Sequence, residues 1–180
     1  ILYRTNAQSN TLEFSLKRNG IPYRVIGGMR FFDRAEIKDM LSYLCVINNR
    51  SDDLRLKRII NNPPRGLGAK TIETAIRLAE AEQKPLYHVV SDPHSYGPLE
   101  KSAAKLMQFS ALIEELAELL DSGMTLPEFY DEVLNRTGYV AMLESKPTEE
   151  NKTRLENVKE LKSSIQAYVQ NAMEPSLSGF

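Results

Sequence analysis

The chain has 180 residues, of which 42% are hydrophobic and 26% charged, with a formal net charge of -1. That length fits one or two domains with a real core, and the near-neutral total excludes a global basic field of the kind that advertises a nucleic-acid partner. The one cysteine, Cys45, excludes an internal disulfide and reads as a buried thiol, and no stretch reaches transmembrane length or carries a signal-peptide pattern.

The total hides an asymmetry. Residues 1–83 hold 14 Lys+Arg against 9 Asp+Glu, and residues 84–180 hold 9 against 15. Such a split is either ordinary surface variation or a sign that the first half meets an anion.

In chain order, Ile1–Arg4 (ILYR) reads as a short strand, and the chain is expected to continue beyond both ends in a longer protein. Residues 8–19 read as a helix with Leu12 and Leu16 one turn apart and Gly20 as its stop. Ile21–Ile26 (IPYRVI) reads as a second strand ended by Gly27 and Gly28. Strand–helix–strand implies an α/β unit, and two strands are too few to stand alone. Everything after residue 26 follows a helical period, so the fold class is mainly α, with a short β-α-β piece in front.

Asp33 with Glu36 predicts a capping box for a helix to about Asn48. Ser51 is the expected cap of the next helix, with Leu54, Ile59 and Ile60 as its buried side and Pro63-Pro64 as its end. Ala69–Gln83 reads as helix, Leu86–Val90 as a short helical turn, and 91–98 as loop. Leu99–Leu120 reads as one long amphipathic helix. Thr125 and Glu128 make a second capping box for a helix to about Arg136, Gly138 restarts a short one, and Pro147–Asn171 is the last.

The stretch carrying most chemistry is Pro63–Gly68 (PPRGLG) between two helices. Gly66 and Gly68 allow tight, left-handed geometry. Backbone N–H groups from Gly66 to Ala69 can then face an anion at the start of the following helix. Arg65 and Lys70 add charge there, and Thr71 adds a hydroxyl. This helix–hairpin–helix-like element is suited to DNA phosphates rather than base edges. The alternative is a compact turn between helices. A nucleotide P-loop is excluded, because GxxxxGK[ST] is absent and a helix precedes the turn.

Other candidates are weaker. Arg4 and Asn6 follow the first strand, where open α/β domains bind ligands, or they simply belong to a capping loop. Phe31 lies among Arg30, Arg34 and Lys38, an aromatic–cation mixture that can stack on single-stranded bases or staple a helix to the core. His88 and His94 have no ligand partner at metal spacing, and both are expected to face solvent. No catalytic constellation is present.

Four ordered stretches closely resemble superfamily 1 DNA helicases of the UvrD/Rep/PcrA kind, the PcrA-type enzymes of Gram-positive bacteria most of all. They are LYRTNAQS at 2–9, IPYRVIGGMRFFDRAEIKD at 21–39, IINNPPRGLG at 59–68 and TRLENVKEL at 153–161. The resemblance implies residues 1–26 as the start of a RecA-like motor domain (2A) and 27–180 as most of its helical insertion (2B). It implies that Arg4 and Asn6 touch single-stranded DNA, that the segment with Arg30, Phe31, Arg34 and Lys38 organises DNA near a fork, and that Arg65, Gly66, Gly68, Lys70 and Thr71 grip duplex. Arg154 and Glu156 would be an ion pair of the helical core. Asn10 stands where the family often has Arg, and Leu67 where isoleucine is common.

The resemblance further implies a cytoplasmic bacterial parent that uses ATP and Mg2+ to move 3′ to 5′, with the other motor domains and repair or replication proteins as partners. The ATPase motifs are absent from this chain, so alone it is expected to be inactive and to hold no cofactor. A helicase–nuclease subunit and a protein-interaction scaffold are the alternative readings.

Overall fold

A computed structural model describes residues 12–13, 15–16, 18–24 and 30–180. The expected strand at Ile1–Arg4, and Arg4 and Asn6 with it, lie outside the described residues. Residues 12–13, 15–16 and 18 are helical, and the helix closes at Gly20, whose φ of +66° suits glycine. There the Ile21 N–H reaches back to the Leu16 carbonyl at 2.9 Å, a left-handed helix stop. The second expected strand does not form in its described part: residues 21–24 are irregular, and Ile21 is 51% exposed.

The rest is helical. A 3-10 turn, Phe31–Asp33, leads into α1 (Ala35–Asn48). Then come α2 (Asp53–Ile59), α3 (Ala69–Glu82), α4 (Leu86–Ser91), α5 (Ala103–Asp121), α6 (Leu126–Arg136), α7 (Tyr139–Glu144) and α8 (Glu149–Asn171). Gly97–Ser102 is a separate 3-10 segment, so the long helix expected from Leu99 begins only at Ala103.

α1 is the central element. Nine of its 14 residues are buried, too many for a helix with one face to water. It packs against α2, α5, α6 and α8. Ile37, Met40, Tyr43 and Val46 are fully enclosed, and Phe109, Phe129, Tyr130 and Leu161 fill the space around them. Burial on this scale is the main favourable term in the fold.

Local signals behave unevenly. At α6, Glu128 accepts both the Thr125 N–H (3.2 Å) and its hydroxyl (2.6 Å), and α8 starts at Thr148, whose oxygen accepts from the Asn151 N–H at 3.1 Å. The Asp33–Glu36 box does not form. Asp33 ends the 3-10 turn, Arg34 precedes α1, and Glu36 turns inward. α2 is capped by Asp52 rather than Ser51, through the Arg55 N–H at 3.0 Å. Leu54 is 80% exposed, and Leu56 takes the buried place expected for it.

Glu36 turns inward because tertiary partners outcompete a surface cap. The Arg34 guanidinium donates to Asn157 Oδ1 at 2.8 Å, and Asn157 Nδ2 donates to Glu36 Oε1 at 2.7 Å. All three residues are buried. Asn157 is thus the interior member of the TRLEN stretch, whereas Arg154 pairs with Glu150, one turn away, and not with Glu156. Near the chain start, Glu13 is 3% exposed and accepts the Phe31 N–H at 3.1 Å and the Tyr23 hydroxyl at 3.1 Å. This carboxylate ties the first helical residues to the entry of α1.

Replacing Asn157 by Leu removes the one carboxamide that joins Arg34 to Glu36. The variant is expected to lose about 3 kcal/mol, because two buried charges lose their bridge. A lowered urea midpoint with an unchanged slope is the expected reading.

Candidate nucleic-acid interface

The hairpin is held from inside. The Asn62–Pro63 peptide is cis, Pro63 is buried, and Leu67 is 2% exposed. Leu67 anchors the turn in the core, as its apolar side chain suggests. Gly66 has φ +67°, and a Cβ there would sit 2.8 Å from Lys105 Nζ. The positive φ favours glycine at 66, whereas the lysine tip could swing aside for a Cβ. Gly68 differs from expectation: its φ of -71° and ψ of 155° are open to any residue, and space around it is free.

Arg65 was expected to face an anion, and its guanidinium instead turns inward. Nη1 donates to the Ile59 and Pro63 carbonyls, both at 3.0 Å. Nη2 donates to the Tyr43 hydroxyl at 2.6 Å and the Thr137 carbonyl at 3.3 Å. The cation also lies 5.1 Å from the centre of the Phe109 ring. One side chain therefore joins α1, the end of α2, the hairpin, α5 and the α6–α7 junction. Tyr43 passes its own proton to the Asn62 carbonyl at 2.8 Å. Burial pushes the Tyr43 pKa up to about 12, with the Arg65 charge opposing.

Asp39 supports the same end of α1. Its carboxylate, in a residue 6% exposed, accepts from Arg58 Nε at 2.6 Å, Asn62 Nδ2 at 2.8 Å and the Tyr139 hydroxyl at 2.7 Å. Asn61 then shapes the turn. Its Oδ1 accepts the Arg65 N–H at 2.8 Å and the Leu67 N–H at 3.3 Å. Two amides of the turn therefore point inward.

The amides left over are that of Gly66 and those at the start of α3. The Thr71 and Ile72 N–H groups bond the Gly68 carbonyl, at 3.0 and 3.2 Å. Those of Gly68, Ala69 and Lys70 have no partner among the described residues, and all three residues are exposed. Lys70 itself is an exposed cation of this first turn. Lys105, from α5, reaches across the turn and donates to the Gly66 carbonyl at 2.9 Å while remaining exposed. Thr71 is half-buried, with its hydroxyl 3.3 Å from that of Ser102. The result is a small cationic cradle with open N–H donors, a shape suited to an oxyanion.

The other expected residues divide. Arg30 and Lys38 are exposed and both pair with Asp33, at 2.7 and 3.4 Å. Phe31 is fully buried, edge-on to Phe32, with the Arg34 guanidinium 5.2 Å from its ring centre. Phe31 and Arg34 therefore staple the core and offer no stacking face here. Lys105, Asn61, Asp39 and Ser102 were not singled out from the sequence. A contact from Lys105 to Gly66 spans 39 residues and leaves no local signal. Asn61 before a Pro-Pro turn is a residue type that ties local backbone. Cys45 is partly exposed rather than buried, and burial raises its thiol pKa, which favours the inert form. His88 and His94 are exposed as expected.

Arg65→Ala is expected to lower the melting temperature and cost about 3 kcal/mol, through carbonyls left unpaired and lost ring contacts. Arg65→Lys recovers little of this, because an ammonium cannot span four acceptors. Alkaline titration followed by tyrosine absorbance gives an independent check. Tyr43 has a folded pKa above the unfolded value of about 10, so its contribution to stability is complete below pH 10 and disappears as pH rises through about 12. In Arg65→Ala the opposing positive charge is gone, so the Tyr43 signal is expected to move to still higher pH wherever the variant stays folded.

Residues 1–179 match the family described as UvrD-like helicase C-terminal domain. The chain is 39% identical over 182 aligned residues to the ATP-dependent DNA helicase PcrA of Staphylococcus aureus, with all of this chain covered and 25% of that protein. It is 38% identical, with the same coverage, to the PcrA of Staphylococcus epidermidis. The chain thus spans about a quarter of the length of these relatives. A match over nearly every residue, with the hairpin inside it, makes this chain a member of the UvrD-like helicase C-terminal domain family.

Proposed function

We propose that this chain is the DNA-contacting accessory part of an ATP-dependent helicase that moves 3′ to 5′ on a single strand and unwinds duplex. Residues 1–26 belong to a RecA-like motor domain and residues 27–180 to its helical insertion. The observation that carries this reading is the cradle at the start of α3: open amides of Gly68, Ala69 and Lys70, with Lys70 exposed in the same turn and the Lys105 ammonium on the Gly66 carbonyl. It suits a phosphate of duplex DNA and has nothing with which to read a base edge.

Within this reading the duplex-gripping set is revised. Lys70, Gly66 and the α3 amides remain, Lys105 joins them, and Arg65 moves to a supporting role. Thr71, half-buried against Ser102, borders the cradle. Gly68 contributes its amide rather than special geometry. Arg30 and Lys38 form a second contact surface, with Asp33 cancelling part of their charge. Arg4 and Asn6 are proposed to touch the single strand.

The residues present do not fit a nucleotide–magnesium site. The turn joins two helices rather than a strand and a helix, and no cluster suited to a metal occurs among the described residues. ATP and Mg2+ belong to the rest of the parent, and no step of that chemistry passes through this chain. The partners are DNA and the remaining motor domains, with repair or replication proteins as further ones, in a bacterial cytoplasm. No helix among the described residues is long and apolar enough to cross a membrane.

The test is a fluorescence titration of a labelled forked duplex at several salt concentrations. The Lys70→Ala/Lys105→Ala double variant is expected to bind more weakly and to flatten the log K against log[salt] slope by about 1.8, since each phosphate contact contributes about 0.9. Equal binding and an equal slope for variant and parent chain would remove the cradle from the DNA interface.

A further inference from the structure

The cradle presents itself ready-made, and one residue accounts for that. Asn61 sits at the end of α2, outside the turn proper. Its single carboxamide oxygen takes the N–H of Arg65 and the N–H of Leu67, the amides on either side of Gly66. Drawing both inward leaves the Gly66 residue between them in its left-handed conformation, with its carbonyl offered to Lys105. The backbone then enters α3 with the next three amides unpaired. Arg65 pins the side-chain layer under the turn, but its bonds go to carbonyls and a hydroxyl and leave the turn's own amides unfixed. Among the described side chains, Asn61 alone accepts from amides of the turn and so separates the paired ones from those left open.

We infer that Asn61 is the positioning residue of the duplex grip: it fixes the hairpin backbone before DNA arrives, so that the Ala69 amide and its neighbours are aimed at a phosphate without a cost in ordering. This rests on the DNA-grip reading above. Donors held in place before binding give affinity that mobile donors lose to conformational entropy, and hydrogen bonds to a charged acceptor are the strong ones.

The experiment uses the full chain with the same labelled forked duplex, together with amide hydrogen exchange. Asn61→Ala is expected to speed exchange at Arg65 and Leu67 while Leu56 and Met40 stay protected. DNA affinity falls about fivefold or more, and the salt slope is unchanged because no cation is lost. A role confined to stability would instead speed exchange across the core.

Ala69→Pro keeps the test decisive even where Asn61→Ala fails to fold. Position 69 opens α3, where proline is tolerated, and Gly68, at φ -71° and ψ 155°, already has the conformation that a following proline requires. This variant deletes one outward N–H with the Asn61 bonds and all charges intact. It is expected to lower affinity about threefold to tenfold with exchange at Arg65 and Leu67 unaltered. If Asn61→Ala folds and binds DNA as the parent chain does, or if Ala69→Pro binds unchanged, the aiming role is overturned. When either happens while Lys70→Ala/Lys105→Ala still weakens binding, the DNA-grip reading survives and only the role of Asn61 falls. When the lysine variant is also silent, both fall.

Discussion

The arrangement of this molecule depends on a half-buried guanidinium that turns towards its interior. Arg65 spends all of its described bonds on three carbonyl groups and one hydroxyl, and lies against the Phe109 ring. A cation drawn even partly out of water is costly unless its donors are met. Here the acceptors come from α1, from the end of α2, from the turn itself and from the α6–α7 junction, so the charge is satisfied only when all of these are in register. Asp39 imposes the same condition one turn earlier on α1, drawing in Arg58, Asn62 and Tyr139. The polar layer therefore specifies how α1, the hairpin and α7 meet, while the apolar layer around Tyr43, Ile37 and Phe109 supplies the bulk of the burial.

That division of labour separates support from contact in the hairpin. An arginine beside glycines in a turn suggests a phosphate clamp, and the fold uses it as a bolt. The exposed cations near the turn are lysines, one from α3 and one from α5. A lysine is a mobile point charge suited to a phosphate met at varying angles, whereas the planar fork of arginine suits a fixed set of buried acceptors. Lys105 comes from the acidic half of the chain, so the charge split by sequence position does not map onto the surface. What gathers at the hairpin is decided by packing of α5 against the rest.

The sequence revealed helices well where an apolar period coincided with a strong stop. Gly20, the Pro63-Pro64 pair, Thr125 with Glu128, and Asn171 all mark boundaries at or near those observed. It misled where local chemistry competed with distant partners. Glu36 makes a plausible capping residue in isolation, but Asn157, 121 residues away, offers a buried bond instead. Leu54 and Leu56 are indistinguishable by composition; only the start of α2, set by Asp52 rather than Ser51, puts Leu56 inward. The hairpin was legible as an anion-facing shape from its glycines and position before a helix. Which of its charges face outward was not, because that depends on Tyr43, Thr137 and Phe109 from other elements.

The strength of any grip here follows from how the cations are spent. Of the basic side chains near the first helices, Arg58 is tied to Asp39, Arg55 to Asp52, and Arg30 and Lys38 to Asp33. Arg65 is turned inward. These pairs use acids from the same segment, so the positive excess of residues 1–83 remains, and screening at physiological salt limits its reach to within about 8 Å of each charge. A surface of this kind cannot draw DNA from a distance, as a broadly basic domain does. In the proposed function it holds DNA that is already close, through short-range bonds from the open amides and a pair of lysines. Such a contact suits an accessory element delivered to the duplex by a motor bound elsewhere on the same DNA: tethering raises the effective concentration, and a weak local grip then becomes sufficient. In the proposed function a grip of this kind releases and re-forms as duplex moves past, which a strong basic patch would oppose.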